Sequence, residues 1–195
     1  MDCERAQAEL FRGALKILGI ERPIVVRHSG HYYPKMRLDA ALMSPSALRV
    51  IGDAMRYTSS PVLGRLLARK IIAMLFAPAP IPSHFDRDFP VEMALRPSQI
   101  RAAAEESGLL LPINANDRTR DSALKLPVAI LAGSDDRLVD TYEQSQRLHD
   151  ELPQSTFQIT PNVGHMIHQT APDLVVAAIE NVGSAERNLR HDAGE

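Results

Sequence analysis

The sequence predicts an α/β protein in which a reduced parallel sheet is interrupted by a helical insertion. Two short apolar runs, Pro23–Val26 and Leu126–Leu131, show no polar alternation, which is typical of strands buried on both faces of a parallel sheet, and Thr156–Ile159 is predicted as a third strand. Helical patterns separate these runs, and helices broken by proline fill the chain between the first run and the second. The expected core is residues 1–43 and 122–195, and the expected helical insertion is residues 44–121.

Composition and charge argue against two kinds of partner, nucleic acids and membranes. The chain has 195 residues, of which 45% are hydrophobic and 24% charged, as in an ordinary globular domain. A formal net charge of −2 provides no global attraction for nucleic acid, so we expect no nucleic-acid partner. No apolar run reaches the ~18 residues that a membrane span needs, so we expect no membrane partner. A single cysteine and the lack of an apolar leader predict a reduced, cytoplasmic protein.

The first elements are a helix and a strand. Between Glu4 and Leu18, apolar residues recur at spacings of three and four, which predicts an amphipathic helix, and Gly19 is a plausible end for it. The run Pro23–Val26 follows after a short turn and predicts the first buried strand.

The middle of the chain predicts helices separated by proline. Helices are expected over Ser46–Tyr57, over Val62–Phe76 behind Pro61, and over Ser98–Leu111. The stretch Ala77–Pro82 must be extended, because its alternate prolines are incompatible with a helix.

The α/β alternation returns near the end of the chain. Strands are expected over Leu126–Leu131 and Thr156–Ile159, with a helix over Thr141–Leu152 between them. A last helix is expected over Pro172–Val182, and the polar tail after Gly183 is expected to fray.

Three polar residues lie in the loops just after the carboxyl ends of the three predicted strands. They are Ser29, Asp136 and His165, and ligand sites of open α/β sheets lie at the carboxyl ends of the strands. A serine hydroxyl becomes a nucleophile when a base takes its proton, and histidine can accept that proton near neutral pH. A carboxylate fixes the histidine tautomer, so these three residues predict a hydrolytic triad.

The motifs around these residues resemble the α/β-hydrolase superfamily. Gly133-x-x-Asp136-x-x-Val139, followed by a helix, a strand and Gly164-His165, is similar to the acid and base motifs of that family. The segment Phe11–Ser29 resembles the helix and strand that lead to its nucleophile, and the proline-broken helices resemble its cap, or lid. The resemblance implies hydrolysis of a small ester or acyl substrate, with Ser29 as nucleophile, His165 as base and acid, and Asp136 as its orienting carboxylate.

Three residues close to Ser29 have expected supporting roles. The backbone N–H of Gly30 would donate to the oxyanion, while Tyr32 and Tyr33 would line the mouth of the pocket or pack at the entry to the cap. No cofactor and no metal are implied.

Departures from the family pattern leave an alternative open. Arg27 and His31 stand where the nucleophile motif has glycine, and the first strands, the helix after the nucleophile and the next strand are expected to be missing. The alternative is therefore a catalytically impaired remnant, or pseudoenzyme, that acts as a binding or interaction module. Open sheet edges in such a chain would favour a homo-oligomer.

A second hypothesis concerns the histidines. His28 and His31 form one His-x-x-His pair, and His165 and His168 form another. If the strand ends adjoin, four imidazoles could converge on zinc or nickel. The first pair follows a strand, where this spacing does not place both rings on one face, so the triad is the preferred interpretation.

Overall fold

The computed structural model describes residues 3–28, 49–105 and 124–193. The predicted first helix is present as α1 (Cys3–Ile17), and Gly19 follows it with φ of 67°. A positive φ suits glycine, which explains where the helix ends. The apolar face of α1 is not buried among the described residues, since Leu10 is 76% exposed and Phe11 is 60% exposed.

Five helices form the described part of the expected insertion. They are α2 (Arg49–Tyr57), α3 (Ser59–Phe76), α4 (Ser83–Asp88), α5 (Val91–Ala94) and α6 (residues 97–105). The stretch Ala77–Pro82 is free of helix, as its prolines predict. Phe76 is fully buried at the end of α3, and its ring packs edge-on against Phe85, with centroids 4.8 Å apart. This aromatic contact fixes α4 against the end of α3.

The last 70 residues contain the sheet. Strands β1 (Val128–Gly133) and β2 (Ser155–Thr160) pair in parallel, with Val128 opposite Ser155 and Gly133 opposite Thr160. Both strands were predicted from the sequence, over Leu126–Leu131 and Thr156–Ile159, and both are confirmed. Because they are parallel neighbours in register, the loops that leave their carboxyl ends begin side by side.

The connection between the strands is a single helical element. It is α7, which opens as a π-helical turn over Thr141–Gln146 and continues as α-helix over Arg147–Glu151. The Asp140 carboxylate caps it by accepting hydrogen bonds from the backbone N–H groups of Tyr142 and Glu143, at 3.0 and 2.9 Å. A helical crossover of this kind is what a parallel strand pair requires.

The first predicted strand, Pro23–Val26, is not formed. Residues 23–26 form no strand, and the described residues contain a sheet of two strands only, β1 and β2. Residues 24–26 line the same cavity as β1 without joining its sheet, and Val25 and Val26 are 71% and 59% exposed. An apolar β-branched run favours extended backbone, but a strand forms only when its N–H and C=O groups pair with a neighbour.

The C-terminal helix is longer than predicted. After the short helix α8 (Ile167–Thr170), α9 runs over Pro172–Ala193, so the expectation of a frayed tail after Gly183 is wrong. Side-chain pairs one turn apart support the extension, because Ser184 Oγ donates to the Glu180 carbonyl and Arg190 pairs with Glu186. A single glycine lowers helix stability by only about 1 kcal/mol, which such contacts offset.

Contacts of α9 and of α4 connect the helices to the sheet and to each other. The helix α9 packs against β1, and His84 of α4 lies 3.1 Å from Gln169 of α8 through Nε2 and Oε1. None of the helices in the described ranges combines the length and apolar character that crossing a bilayer requires.

Candidate functional site

The two loops that leave β1 and β2 are bonded to each other. The backbone N–H of Ser134 donates to the Thr160 carbonyl at 2.9 Å, and that of Asp135 donates to the Val163 carbonyl at 3.0 Å. The N–H of Asn162 donates back to Ser134 Oγ at 3.1 Å. These bonds extend the strand pairing beyond the sheet and hold both loops in one register.

Two glycines allow the loops to approach this closely. A Cβ on Gly133 would overlap the carbonyl groups of Val163 and Gly164, and a Cβ on Gly164 would overlap the carbonyl oxygen of Ala77. These are backbone atoms, which cannot move aside as a flexible side chain can. The glycines of the Gly-x-x-Asp and Gly-His motifs are therefore required by packing, and Gly164 lies directly against the end of α3.

The carboxylate of Asp136 is held by three donors. Its Oδ1 accepts hydrogen bonds from the backbone N–H groups of Leu138 and Val139, at 2.8 and 2.9 Å. Its Oδ2 lies 2.9 Å from Nδ1 of His165. Burial acts to raise the pKa of Asp136, but the hydrogen bonds from His165, Val139 and Leu138 outweigh burial and leave its pKa below the usual value. The group is thus a fixed anion at neutral pH.

The Asp136 carboxylate orients the imidazole ring of His165. Only 8% of the residue is exposed, and its Nδ1 faces Asp136 in the folded chain. A carboxylate on Nδ1 favours the tautomer that carries its proton there, which leaves the lone pair on Nε2. This imidazole can therefore take a proton through Nε2 and stay paired with a negative charge while it does so.

Two further histidines complete the cluster. The ring of His28 lies 4.9 Å from that of His165 and 4.1 Å from that of His168, measured between centroids. Burial, with the nearby His168 and His165 rings adding to it, lowers the pKa of His28 to about 4 despite an opposing contribution from Asp136. Burial and His165 lower the pKa of His168 as well. Both rings are neutral at pH 7.

A cavity of about 320 Å³ adjoins the cluster. Its walls come from residues 24–28, from β1 and from α9. Asp136, His28, His165 and His168 lie among its lining residues, and most of the other lining side chains are aliphatic. The volume is at the lower end of the ~300–1,000 Å³ that small-molecule sites occupy.

The structure places some predicted residues and not others. It brings Asp136 and His165 together at the carboxyl ends of β1 and β2. Ser29, Gly30, Tyr32 and Tyr33 lie outside the described residues, and His31 does as well. Three of the four histidines of the metal hypothesis converge, yet within the described ranges no group of three potential ligands has an arrangement that could hold a metal ion.

Sequence reasoning assigned no site role to several residues that line the cavity. The α9 side chains among them are Val175, Ala178, Ile179 and Val182, which recur at spacings of three, one and three. That spacing is an ordinary core pattern, so nothing in it distinguishes a cavity wall from a packed face.

Two of the solved structures that are similar to this chain are enzymes. One is a thermophilic esterase from Thermogutta terrifontis with malate bound, at 18% identity and a TM-score of 0.48 over 82% of this chain. The other is an N-acyl homoserine lactone degrading enzyme, at 19% identity and a TM-score of 0.39 over 71% of this chain. The chain spans 53% of the length of each. No protein-family model and no curated protein matches it.

Proposed function

We propose that this chain is a serine hydrolase of the α/β-hydrolase type that cleaves esters of small acyl groups. The observation that carries the proposal is the hydrogen bond of 2.9 Å between His165 Nδ1 and Asp136 Oδ2, formed where two adjacent parallel strands end. A buried imidazole whose Nδ1 is held by an anion is prepared to act as a base through Nε2.

Ser29 is the proposed nucleophile. It follows His28 by one peptide bond, and the His28 ring is packed on that of His165. A residue directly bonded to His28 is in a suitable part of the chain to present a hydroxyl to the same imidazole. This neighbour relation supports Ser29 over other serines, such as Ser134, whose hydroxyl donates to Asp135 at 2.6 Å.

The proposed reaction has two halves. Ser29 Oγ attacks the ester carbonyl while its proton moves to His165 Nε2, and the resulting oxyanion accepts the Gly30 N–H. His165 then returns the proton to the departing alcohol, which leaves an acyl-serine. Water attacks that ester in the same way, with His165 again taking and returning one proton, and the carboxylic acid leaves. Asp136 stays ionised throughout and stabilises the imidazolium.

The helical segment has a proposed part in this site. Residues 44–121 act as the cap, and their described portion reaches the histidine loop where the Ala77 carbonyl meets Gly164. The contact between His84 and Gln169 adds a second link to the same region. A cap held at these points would shield the acyl-serine from bulk water.

The test is ester hydrolysis by the wild-type chain and by Ser29→Ala. We expect turnover of p-nitrophenyl acetate and p-nitrophenyl butyrate, and a loss of at least about 10³-fold in kcat/KM when the nucleophile is removed. The control is Ser184→Ala, because Ser184 is an exposed serine on α9 that bonds within its own helix.

The same experiment distinguishes the proposed hydrolase from the alternative, a catalytically impaired remnant. A catalytically impaired remnant predicts no turnover above the solvent rate in any variant. Equal turnover by wild type and Ser29→Ala would remove Ser29 from the mechanism, even if esters were cleaved.

A further inference from the structure

Strand β1 has one edge that pairs with β2 and one edge that faces the cavity. The backbone N–H of Ser134, just after β1, points toward β2, where it donates to the Thr160 carbonyl at 2.9 Å. In a parallel ladder the backbone groups of successive residues point alternately to the two edges, so those of Ala129 and Leu131 point away from β2. Within the described ranges no other strand pairs with this outer edge, although β1 lines the cavity along its length.

Residues 24–28 form a second row of backbone groups along the same cavity. No hydrogen bond between backbone groups joins them to another described residue. Ile24 Cδ1 lies 3.3 Å from the Cβ position of Gly183 on α9, whereas the His28 ring packs on that of His168, just before α9 begins. From its first residue to Gly183, α9 rises about 16 Å, and four fully extended residues span about 13 Å. The segment is therefore close to fully extended, as a strand would be.

The helix α9 covers one side of the cavity between these two rows. It packs against β1, and the side chains that it contributes to the lining are all aliphatic: Val175, Ala178, Ile179 and Val182. The cavity is nevertheless open to solvent, because Val25 and Val26 beside it are largely exposed. Exposed apolar side chains next to an unpaired sheet edge are typical of a surface that another chain covers.

Backbone chemistry determines which occupant fits between the two rows. Each row presents N–H donors and C=O acceptors at the repeat of an extended chain. A polypeptide strand presents donors and acceptors at that same repeat along both of its own edges, so it can pair with both rows at once. Those of its side chains that point toward α9 meet aliphatic groups and must be apolar, and the alternate side chains point to the other face.

We propose that an extended segment of another protein inserts between residues 24–28 and β1 and adds a strand to the sheet. The segment has apolar side chains at alternate positions and no proline where it pairs, because each of its N–H groups along the paired edges is needed. On one side it bonds to the outward backbone groups of Ala129 and Leu131. The proposal goes beyond the proposed hydrolysis and does not depend on it, since the pairing uses backbone groups and leaves Asp136 and His165 as they are.

The probe is a fluorescein-labelled octapeptide of alternating valine and threonine, with a lysine added at each end for solubility. Its binding to the wild-type chain is measured by fluorescence anisotropy, and we expect a saturable increase. The matched control is the same peptide with alternate backbone nitrogens methylated, which removes the N–H donors along one edge and leaves every side chain in place. We expect the methylated peptide to bind about tenfold more weakly or less, because each lost donor leaves an acceptor unpaired.

A pair of variants tests the outer edge of β1 itself. Ala129→Pro removes an N–H that points away from β2, so the bonds between β1 and β2 are retained. Ala129→Val is its matched control, because valine has as many side-chain carbons as proline but keeps the N–H. Ala129→Pro should weaken binding of the unmethylated peptide by about tenfold, and Ala129→Val should leave it near the wild-type value. If circular dichroism shows that Ala129→Pro does not fold, the two peptides on the wild-type chain still decide the question.

Three results would overturn the proposal. They are the absence of saturable peptide binding, equal binding of the peptide and its methylated form, and equal binding losses in Ala129→Pro and Ala129→Val. Sedimentation of the protein alone tests a second copy as the occupant. A wild-type dimer that Ala129→Pro dissociates and Ala129→Val does not would show that a second copy fills the site, and would overturn the separate partner. A monomer that binds the peptide only when the peptide keeps its N–H donors would support it.

Discussion

Replacing Asp136 with asparagine tests the central pair with little change in shape. The amide oxygen of the new side chain can still accept the N–H groups of Leu138 and Val139, which Asp136 binds at 2.8 and 2.9 Å. The amide nitrogen would then face His165 Nδ1 as a donor, where the carboxylate stood as an acceptor. Nδ1 would have to accept, so the imidazole proton would move to Nε2.

This reversal removes the base. With its proton on Nε2, His165 cannot take the proton of a serine hydroxyl, and loss of the correct tautomer lowers rates by about 10⁴ in sites of this kind. We expect kcat/KM of Asp136→Asn on p-nitrophenyl butyrate to fall by about that factor. Because the two backbone bonds survive, the free energy of unfolding should change by no more than about 1–3 kcal/mol.

Asp135→Asn is the matched control. Asp135 is the exposed neighbour in sequence, and its carboxylate accepts the hydroxyl of Ser134. Steady-state kinetics and urea titrations of both variants should show a large loss of activity in Asp136→Asn alone. A rate for Asp136→Asn within about tenfold of wild type would refute the tautomer argument, and so would an equal loss in Asp135→Asn.

Two further predictions concern stability. Gly164→Ala should lower the free energy of unfolding by about 1–3 kcal/mol in urea titrations, because its Cβ overlaps the Ala77 carbonyl. Gly13→Ala, a helical position with nothing within 4 Å, should instead stabilise by up to about 1 kcal/mol. The pKa of His28 is lowered from 6.5 to about 4, so the unfolded state binds more protons and stability falls as pH drops through this range. His28→Gln should flatten the decline of melting temperature between about pH 7 and about pH 4.5, and His191→Gln should not; parallel curves in all three proteins would contradict this.

The sequence was most informative where one element determines its own structure. Strand β1 follows from the continuous apolar run Leu126–Leu131 and strand β2 from the run Thr156–Ile159. The loops after them place Asp136 beside His165, because adjacent parallel strands end at one edge. The helix before Ala77–Pro82 follows from periodicity and proline, whereas the helix Ser83–Asp88 after it was not predicted. These features need only local pattern and the geometry of a parallel pair.

Other features depend on tertiary contacts that a local sequence pattern does not specify. The run at residues 23–26 has strand propensity but no ladder, and the apolar face of α1 is exposed among the described residues. The cavity required the relative placement of residues 24–28, β1 and α9, and the lining of α9 has the same spacing as any buried face. The end of α9 differs from the prediction because Gly183 has the pattern of a stop, although later side-chain pairs continue the helix.

The position of His165 depends on the helical segment as well as on the sheet. His165 keeps its orientation only while its loop keeps its position, and that loop is held from the sheet by Gly133 and from the other side by the Ala77 carbonyl against Gly164. Phe76, fully buried one residue earlier, anchors that carbonyl. A shift at the end of α3 would therefore displace the imidazole while β1 and β2 stayed paired. The proposed hydrolytic activity should therefore be lost before the strands unfold, because the position of the His165 loop depends on the packing of Gly164 against the end of α3 as well as on the sheet.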